Sequence, residues 1–246
     1  MMHGLLELDV TAARRLMREH RERTGEALSF TAFVLACVGK AVAAHAEVHA
    51  VRDWLGRLVM FEDVDVTTIV EVAVAERRFG LAHVVRDVNR RSFRDIHHEI
   101  RSVQAAGMGS TPQGLRWAAK VMLLAPGPLR RSALRFLLCF PQFRKRHTGT
   151  VLLTAVGMFG GGAGWGFSAP GIHGLSIVVG GIASRNGRAE DDGRGREVLC
   201  LTVSADHELI DGAPLARFVR DLRARIEGGD GVRDAVAMPG APGATP

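Results

Sequence analysis

The stretch SADHELIDGAP, residues 204–214, places a histidine among acidic and turn-forming residues. It follows an apolar, β-branched segment (198–204) and precedes a segment with the 3.6-residue period of an amphipathic helix (214–226). His207 is therefore predicted at the end of a strand, where side chains face a cleft more often than a core. Histidine is the usual general base in catalysis, but a histidine capped by carboxylates at a turn fits this pattern equally well.

A second polar group, Thr154, stands 53 residues before His207 in the segment TVLLTAVGMFGGG, residues 150–162. The glycines of this segment do not form a phosphate-binding loop, because their order matches neither G-x-x-x-x-G-K-[ST] nor a G-x-G-x-x-G that opens a helix. We expect them to let the backbone turn and to let a ligand or a neighbouring chain approach closely. The Thr154 hydroxyl either bonds to backbone or donates to a substrate oxygen.

Alternating strands and helices must position these two residues. Helices are predicted over 10–24, 28–46, 92–104, 115–125, 129–140 and 214–226, and strands over 64–74, 80–85, 150–155, 175–182 and 198–204. The helix over 28–46 is the most apolar, so we expect it to lie buried against a sheet. Residues 1–227 are predicted to form one domain, and residues 228–246, rich in Gly, Pro and Ala, a disordered tail.

The composition, 47% apolar and 24% charged, is that of a globular protein. No apolar run reaches the roughly 18 residues of a membrane span, and the N-terminus lacks the pattern of a signal peptide. Cys37, Cys139 and Cys200 are far apart in apolar segments, which predicts buried free thiols rather than a disulfide or a metal site. We therefore expect a cytoplasmic protein without a metal.

The net charge of +6 is unevenly distributed. Residues 100–189 contain 11 Arg or Lys and no Asp or Glu, which leaves 21 basic and 26 acidic residues, a net −5, for the rest. This asymmetry indicates either a surface that meets an anion (a phosphate, an acidic protein or an anionic lipid) or a solvated basic face. No nucleic-acid-binding motif or aromatic-basic interleaving accompanies the charge, so we expect no nucleic-acid partner.

Together, the two polar segments resemble the catalytic domain of the dihydrolipoamide acyltransferases of 2-oxoacid dehydrogenase complexes and, more distantly, chloramphenicol acetyltransferase. That family has a DHRxxDG sequence preceded by T-[IL]-[ST]-x-x-G-x-[FI]-G. Here DHELIDG at 206–212 follows TVLLTAVGMFG at 150–160 at a similar separation, and VVRDVNRRS at 84–92 is also similar to the family. The resemblance covers about residues 3–227, apart from the block 107–149.

The resemblance implies an α/β fold, a two-layer sandwich of the chloramphenicol acetyltransferase type, that forms a homotrimer with each active site between two subunits. It implies that His207 is the general base, that the Thr154 hydroxyl donates to the developing oxyanion, and that Asp211 holds the loop around the histidine. Coenzyme A thioester would be a co-substrate, not a permanently bound cofactor, and no covalent acyl-enzyme is implied. Basic residues are the natural counterpart of coenzyme A phosphates, and the candidates are Arg144, Lys145 and Arg146.

Four departures limit what the resemblance carries over. Glu208 stands where an arginine usually follows the histidine, and Ala155-Val156 stand where a polar residue usually follows the hydroxyl. No lipoyl domain, subunit-binding domain or aspartate-bracing arginine is found ahead of His3, and the block 107–149 replaces a short loop. These departures favour a freestanding enzyme over a subunit of a dehydrogenase complex.

Such an enzyme would move an acetyl or other short acyl group to a hydroxyl or thiol of a small-molecule or carrier-bound acceptor. Freestanding relatives act in tetronate-type natural-product pathways, and 29 Arg against 3 Lys is typical of the GC-rich genomes where these pathways are common. Two alternatives stay open. One is a non-catalytic trimer that binds an acyl ligand or acts as a scaffold; the other is a dihydrolipoamide acyltransferase core that works with separate lipoyl domains.

The block 107–149 is predicted to be an inserted helical hairpin that combines leucine and phenylalanine with arginine and lysine. It either packs on the trimer or over the substrate channel, or it forms a basic amphipathic surface that contacts a membrane interface or an acidic carrier protein. Both predicted helices are too short to span a bilayer.

Overall fold

The computed structural model describes residues 1–74, 77–107, 124–157, 162–168, 171–185 and 195–237. The strands in these residues are β1 (Met2–Asp9), β2 (Val51–Arg52), β3 (Leu58–Val59), β4 (Val66–Val74), β5 (Arg77–Val85), β6 (Val151–Ala155), β7 (Leu175–Arg185) and β8 (Arg196–Ala205). Six of them form one sheet in the order β1-β8-β7-β6-β4-β5, and β2 pairs with β3 separately. β6 runs parallel to both neighbours, β4 and β7, and the other pairs of the large sheet are antiparallel.

The α-helices of the described residues are α1 (Thr11–Thr24), α2 (Phe30–Ala44), α3 (Phe93–Ala106), α4 (Gly127–Cys139), α5 (Pro141–Thr148), α6 (Gly212–Gly228) and α7 (Val232–Ala237), and Ala46–His49 form a short 3₁₀ helix. α2 is buried over most of its length, as its apolar sequence predicts. α3 begins with a capping box between Ser92 and Asp95. α1 ends at Gly25, whose left-handed backbone (φ 76°) favours glycine.

Side chains on one face of the sheet build the core. Val151 and Leu153 of β6 join Ile177 and Val203 in the core cluster that includes residues of α2, α3 and α6. Because side chains alternate along a strand, Thr154 lies on the opposite face from Leu153. A sheet with a helical layer is the architecture that the family resemblance implies, so the predicted fold class is confirmed. No helix in the described part of the chain is long and apolar enough to cross a membrane.

The two ends of the chain differ from the prediction. β1 was not predicted; it pairs antiparallel with β8 from Met2↔Ala205 to Asp9↔Val198. The disordered tail predicted from residue 228 is wrong for its first part, since α7 is a helix with Val232 and Ala235 buried. Arginines of α1 and α3 fix it, because Arg23 Nη2 and Arg94 Nη1 donate to carbonyls of α7 at 2.8 and 2.6 Å. Residues 238–246 lie outside the described residues.

The two described helices of the inserted block differ in how they attach to the sheet. α4 confirms the predicted helix over 129–140 and leaves Leu129 and Phe136 exposed. α5 is tied to the sheet region, because Thr67 Oγ1 donates to the Thr148 carbonyl and Arg86 donates to carbonyls of α5. The predicted helix over 115–125 lies almost wholly outside the described residues. The described part of the block, residues 124–149, is thus a peripheral helix followed by an anchored one.

The cysteines bear out the prediction of free thiols. Cys37 and Cys200 are buried, and Cys139 is half-buried. Burial is the main cause that raises the pKa of the Cys37 thiol well above its usual range. The thiol of Cys37 is therefore protonated and unreactive at neutral pH.

Candidate active site

His207 lies in a turn directly after β8. The backbone N–H of Asp206 continues the sheet by donating to Gly174 O at 2.8 Å, and the N–H groups of Leu209 and Ile210 then donate back to Asp206 O. The His207 side chain is exposed, and no group within the described residues bonds its ring. Both ring nitrogens can therefore meet a substrate, which a general base requires.

Asp211 is the N-cap of α6, but its carboxylate makes no capping hydrogen bond. Its backbone carbonyl accepts from the Leu215 N–H at 3.3 Å. The side chain is exposed and bonds to no group in the described part of the chain. No contact among the described residues of one chain therefore supports the implied role of Asp211 in holding the histidine loop.

Thr154 is half-buried near the carboxyl end of β6. β6 stops at Ala155, whereas its neighbours β4 and β7 continue to Val74 and Arg185, so the sheet opens beyond the threonine. A cavity of about 510 Å³ occupies this opening. The carboxyl end of a strand with parallel neighbours on both sides is a usual place for a ligand in α/β proteins.

The walls of the Thr154 cavity combine apolar residues with hydroxyl, amide and charged groups from the sheet, α2 and α3. Phe30 and Ile100 come from the start of α2 and from α3, and Phe79 comes from β5. Thr68 also lines it; this residue is fully buried, and its hydroxyl has no hydrogen-bond partner among the described residues. Small-molecule sites likewise combine apolar walls with polar groups that fix the orientation of the ligand. The charged residues that line the cavity are Glu71, Arg78 and Arg101.

The sheet register keeps His207 and Thr154 apart within one chain. Thr154 pairs with Val178, and Val178 pairs with Thr202, so these three residues form one row across the sheet. Asp206 is four residues beyond Thr202, which corresponds to about 13 Å along the strands and about 9.5 Å across them. A base at His207 and a donor at Thr154 of the same chain cannot contact one reacting carbonyl.

The three basic residues predicted to contact coenzyme A have different surroundings. Arg144 is 7% exposed, and Lys145 is half-buried, with Nζ 3.4 Å from the Asp63 carboxylate and 5.2 Å from the centre of the Phe61 ring. Arg146 is exposed on the next position of α5. They therefore do not form one phosphate-binding cluster, although each stays a candidate.

A second histidine, His49, is buried at the end of the sheet where β6 begins. Its Nε2 lies 3.1 Å from the Phe61 carbonyl and its Nδ1 3.0 Å from Thr150 Oγ1. Burial lowers the pKa of His49 to about 4, so the ring is neutral at pH 7. A neutral ring beside a carbonyl donates from Nε2, and Nδ1 then accepts from the threonine. His49 fixes the start of β6 and is closed to a substrate.

One group of side chains has the composition of a metal site. Ligand atoms of Glu26, His97 and His98 lie within 4.8 Å of one another. However, the Glu26 carboxylate already bonds to Arg94 at 2.7 Å and to His20 at 3.1 Å. A guanidinium bound to that carboxylate opposes a cation there, so this cluster is a hydrogen-bonded network that joins α1 to α3.

Several groups around these sites could not be predicted from the sequence. Thr68 and Ser29 line the Thr154 cavity, and Arg52 Nη2 donates to the Glu208 carbonyl at 2.8 Å in the His207 turn. Arg52 and Glu208 are 156 positions apart, and no periodicity or motif connects them.

Comparisons with known proteins agree with the family resemblance. Residues 144–231 match the family of 2-oxoacid dehydrogenases acyltransferase (catalytic domain). Among solved structures, the chain is similar to a dihydrolipoamide acetyltransferase of Azotobacter vinelandii (TM-score 0.64, 16% identity, 96% of this chain and 84% of that chain). It is similar to a truncated catalytic core of the 2-oxoacid dehydrogenase multienzyme complex of Thermoplasma acidophilum (TM-score 0.64, 20% identity, 93% of this chain and 87% of that chain). It is also similar to chloramphenicol acetyltransferase (TM-score 0.56, 16% identity, 92% of this chain and 87% of that chain).

The structural similarity, at these low sequence identities, shows that the chain shares the fold of these proteins. No curated protein sequence matches the chain. The matched segment contains Thr154, His207 and Asp211, so the residues singled out by their motifs lie in the part of the chain that matches this family.

Proposed function

We propose that this chain, an acyltransferase of the 2-oxoacid dehydrogenase and chloramphenicol acetyltransferase type by its matched segment and its fold, is a freestanding enzyme. It moves an acetyl or other short acyl group from coenzyme A to a hydroxyl or thiol of the acceptor. The observation that carries this proposal is the free, exposed ring of His207 four residues before Asp211. In the Azotobacter protein, the roles of a serine, a histidine and an asparagine in the catalytic mechanism have been investigated.

In the proposed reaction, a ring nitrogen of His207 removes the proton from the acceptor as its oxygen or sulfur attacks the thioester carbonyl. The Thr154 hydroxyl donates to the oxyanion of the tetrahedral intermediate. The intermediate expels coenzyme A as a thiolate, which takes the proton back from the imidazolium. Both substrates are held together without an acyl-enzyme, so positioning contributes much of the rate.

The proposed assembly is a homotrimer in which His207 of one subunit meets Thr154 of another. Its support is the register of the sheet, which separates the two residues within one chain by about 13 Å along the strands. The core structures to which the chain is similar come from multienzyme complexes. A closed ring of identical contacts gives every subunit one complete site.

The acceptor is proposed to be a small molecule or a carrier-bound group, and the arginine-rich composition supports a tetronate-type pathway in a GC-rich genome. Contact between the inserted block and a membrane interface or an acidic carrier is also a proposal. α4 supports it by exposing Leu129 and Phe136 beside basic residues, with no acid in the helix. An apolar and cationic helix surface is suited to anionic partners.

The activity is tested by release of free coenzyme A from acetyl-, propionyl- and butyryl-coenzyme A, with dihydrolipoamide, a monothiol and several alcohols as acceptors. We expect release that depends on both an acyl donor and an acceptor. Tight binding of the acyl donors without release for any acceptor would instead favour the non-catalytic, acyl-binding trimer. Reaction with dihydrolipoamide alone would favour a core that works with separate lipoyl domains.

A further inference from the structure

Arg144 is a buried cation for which the described residues supply no counter-charge. The residue is 7% exposed, and its Nε is enclosed without a hydrogen-bond partner. None of the described residues forms an ion pair with it. Burial alone lowers the pKa of the guanidinium, and no neighbouring carboxylate opposes that shift. A buried charge that has gained no partner is costly, so the retention of Arg144 here points to a ligand.

The open side of Arg144 faces a small pocket beside His207. The pocket has a volume of about 220 Å³, and Asp206 and Glu208, the two residues that flank His207, line it together with Arg144. Only Nε of the guanidinium is sealed off, so the two η nitrogens are the part that the pocket can reach. A guanidinium presents its η nitrogens as a planar fork that matches a carboxylate or a phosphate.

Four other charged or titratable residues line this pocket: Arg52, Asp206, Glu208 and His173. Arg52 also lines it and donates to the Glu208 carbonyl at 2.8 Å. Asp206 uses a carboxylate oxygen to accept the Glu208 N–H at 3.1 Å, and neither Asp206 nor Glu208 lies within ion-pair distance of Arg144. His173 lies 2.6 Å from the Thr148 carbonyl through Nε2, and burial lowers its pKa, so it adds no positive charge at neutral pH.

We propose that this pocket binds an anionic group of a substrate, a phosphate or a carboxylate, which Arg144 holds through its η nitrogens next to His207. The inference rests on the proposed function, because the site matters to catalysis only if His207 acts on a substrate. The pocket is smaller than the roughly 300–1,000 Å³ of a complete small-molecule site, so it takes one charged group rather than a whole substrate. The anion comes either from coenzyme A phosphates or from a carboxylate on the acceptor.

The test measures binding by calorimetry, without turnover, so that it stands independently of the proposed reaction. The probes are inorganic phosphate and succinate for the group itself, and coenzyme A against pantetheine for its source. We expect Arg144→Gln to weaken binding of the anion on the order of 10- to 100-fold, the scale of a charge-assisted bidentate contact. Arg220→Gln, at an exposed position of α6 that does not line the pocket, is the control and should leave this binding unchanged.

The source of the anion follows from which preference disappears in Arg144→Gln. If the protein prefers coenzyme A to pantetheine and loses that preference in the variant, the phosphate of the donor occupies the pocket. If that preference persists and only succinate binding is lost, the pocket takes an acceptor carboxylate. Equal affinities of the wild-type protein and Arg144→Gln for all four probes would overturn the proposal, as would no binding of any probe to the wild-type protein.

Thermal unfolding of Arg144→Met separates a ligand-binding arginine from a structural one. Removing an unpaired buried charge should raise the Tm of the ligand-free protein and remove the rise in Tm that phosphate or succinate gives the wild-type protein. A variant with a lowered Tm and an unchanged response to both anions would assign Arg144 a purely structural role and would contradict the proposal.

Discussion

The two ends of the central sheet offer opposite environments to the two residues with proposed catalytic roles. His207 lies in an exposed turn with charged neighbours on both sides, and its ring contacts no described group. Thr154 is half-buried beside a cavity of mixed apolar and polar lining at the end of β6. A general base must exchange protons and reach its substrate, whereas an oxyanion donor is most effective where it is fixed and water is scarce. The difference thus matches the two proposed roles.

A second comparison, between His207 and His49, shows what burial does to the same residue type. Both ring nitrogens of His49 lie within hydrogen-bond distance of a partner, and burial lowers its pKa to about 4. His49 therefore supports the strand that carries Thr154, and His207 is left free for chemistry. The predictions below test each side of this contrast.

Loss of His207 should have the largest effect. His207→Ala is expected to lower kcat by about 10²–10⁴-fold, the range for a general base, because no other described group near the turn can replace the ring. The free energy of unfolding should not change, since the side chain is exposed. Steady-state kinetics and urea unfolding measure the two quantities, with His147→Ala on the exposed side of α5 as the control. Turnover close to that of the wild-type enzyme would rule out the assignment.

Thr154→Ala should lower kcat by about 10²–10³-fold, the cost of losing one preorganised donor. Thr154→Ser should restore most of the rate, because serine keeps the hydroxyl and loses only a methyl group. The comparison needs kcat for both variants with the same donor and acceptor. A serine variant as slow as the alanine variant would show that the hydroxyl is not the group that acts.

Mixing the two inactive variants tests whether the two ends of the sheet meet between subunits. Trimers reassembled from equal amounts of His207→Ala and Thr154→Ala chains should regain about a quarter of the sites, because one interface arrangement in four pairs an intact histidine with an intact threonine. Activity after co-refolding, compared with each variant refolded alone, gives the result. No recovery in verified mixed trimers would place both residues of an active site in one chain.

The buried histidine should make folding sensitive to acid. The pKa of His49 is about 4 in the folded protein and 6.5 when unperturbed, so the unfolded chain takes up the proton first. The stability that neutral His49 contributes is present above pH 6.5 and is lost as the pH falls toward 4, by up to about 3 kcal/mol. Urea unfolding between pH 7 and 4 measures the slope, and His49→Gln should reduce it. His97, whose pKa is also about 4, should keep part of it. An unchanged slope in His49→Gln would contradict this assignment.

Thr68→Val should have the smallest effect. It should stabilise the protein or leave its stability unchanged. The Thr68 hydroxyl is fully buried with no partner among the described residues, so valine of the same shape should leave stability unchanged or raise it by about 1 kcal/mol. If the hydroxyl instead serves a substrate in the Thr154 cavity, KM should rise while kcat stays the same. Thr202→Val, another fully buried and unpartnered hydroxyl, but outside the cavity lining, is the control for KM. A loss of stability in Thr68→Val would show that the hydroxyl has a partner.

The local features of the fold were predictable from the sequence because their signals are local. The strand, turn and helix around His207, the buried α2 and the capping box of α3 each follow from residues within one element. The close packing near Gly157 is consistent with its predicted role, since a Cβ there would lie 1.8 Å from the Gly180 carbonyl oxygen. The family resemblance likewise depended on two short motifs in the right order.

By itself, then, the sequence determined the fold class and named His207, Thr154 and Asp211. Only the tertiary structure decided that β1 pairs with β8, that α7 is a helix, and that Arg144 is buried beside the His207 turn without an ion-pair partner among the described residues. It also decided how far His207 lies from Thr154. Each of these outcomes depends on contacts between segments that are distant along the chain. Hydrophobic periodicity and turn chemistry report a residue's near neighbours, whereas burial and strand register depend on which distant segments pack against it.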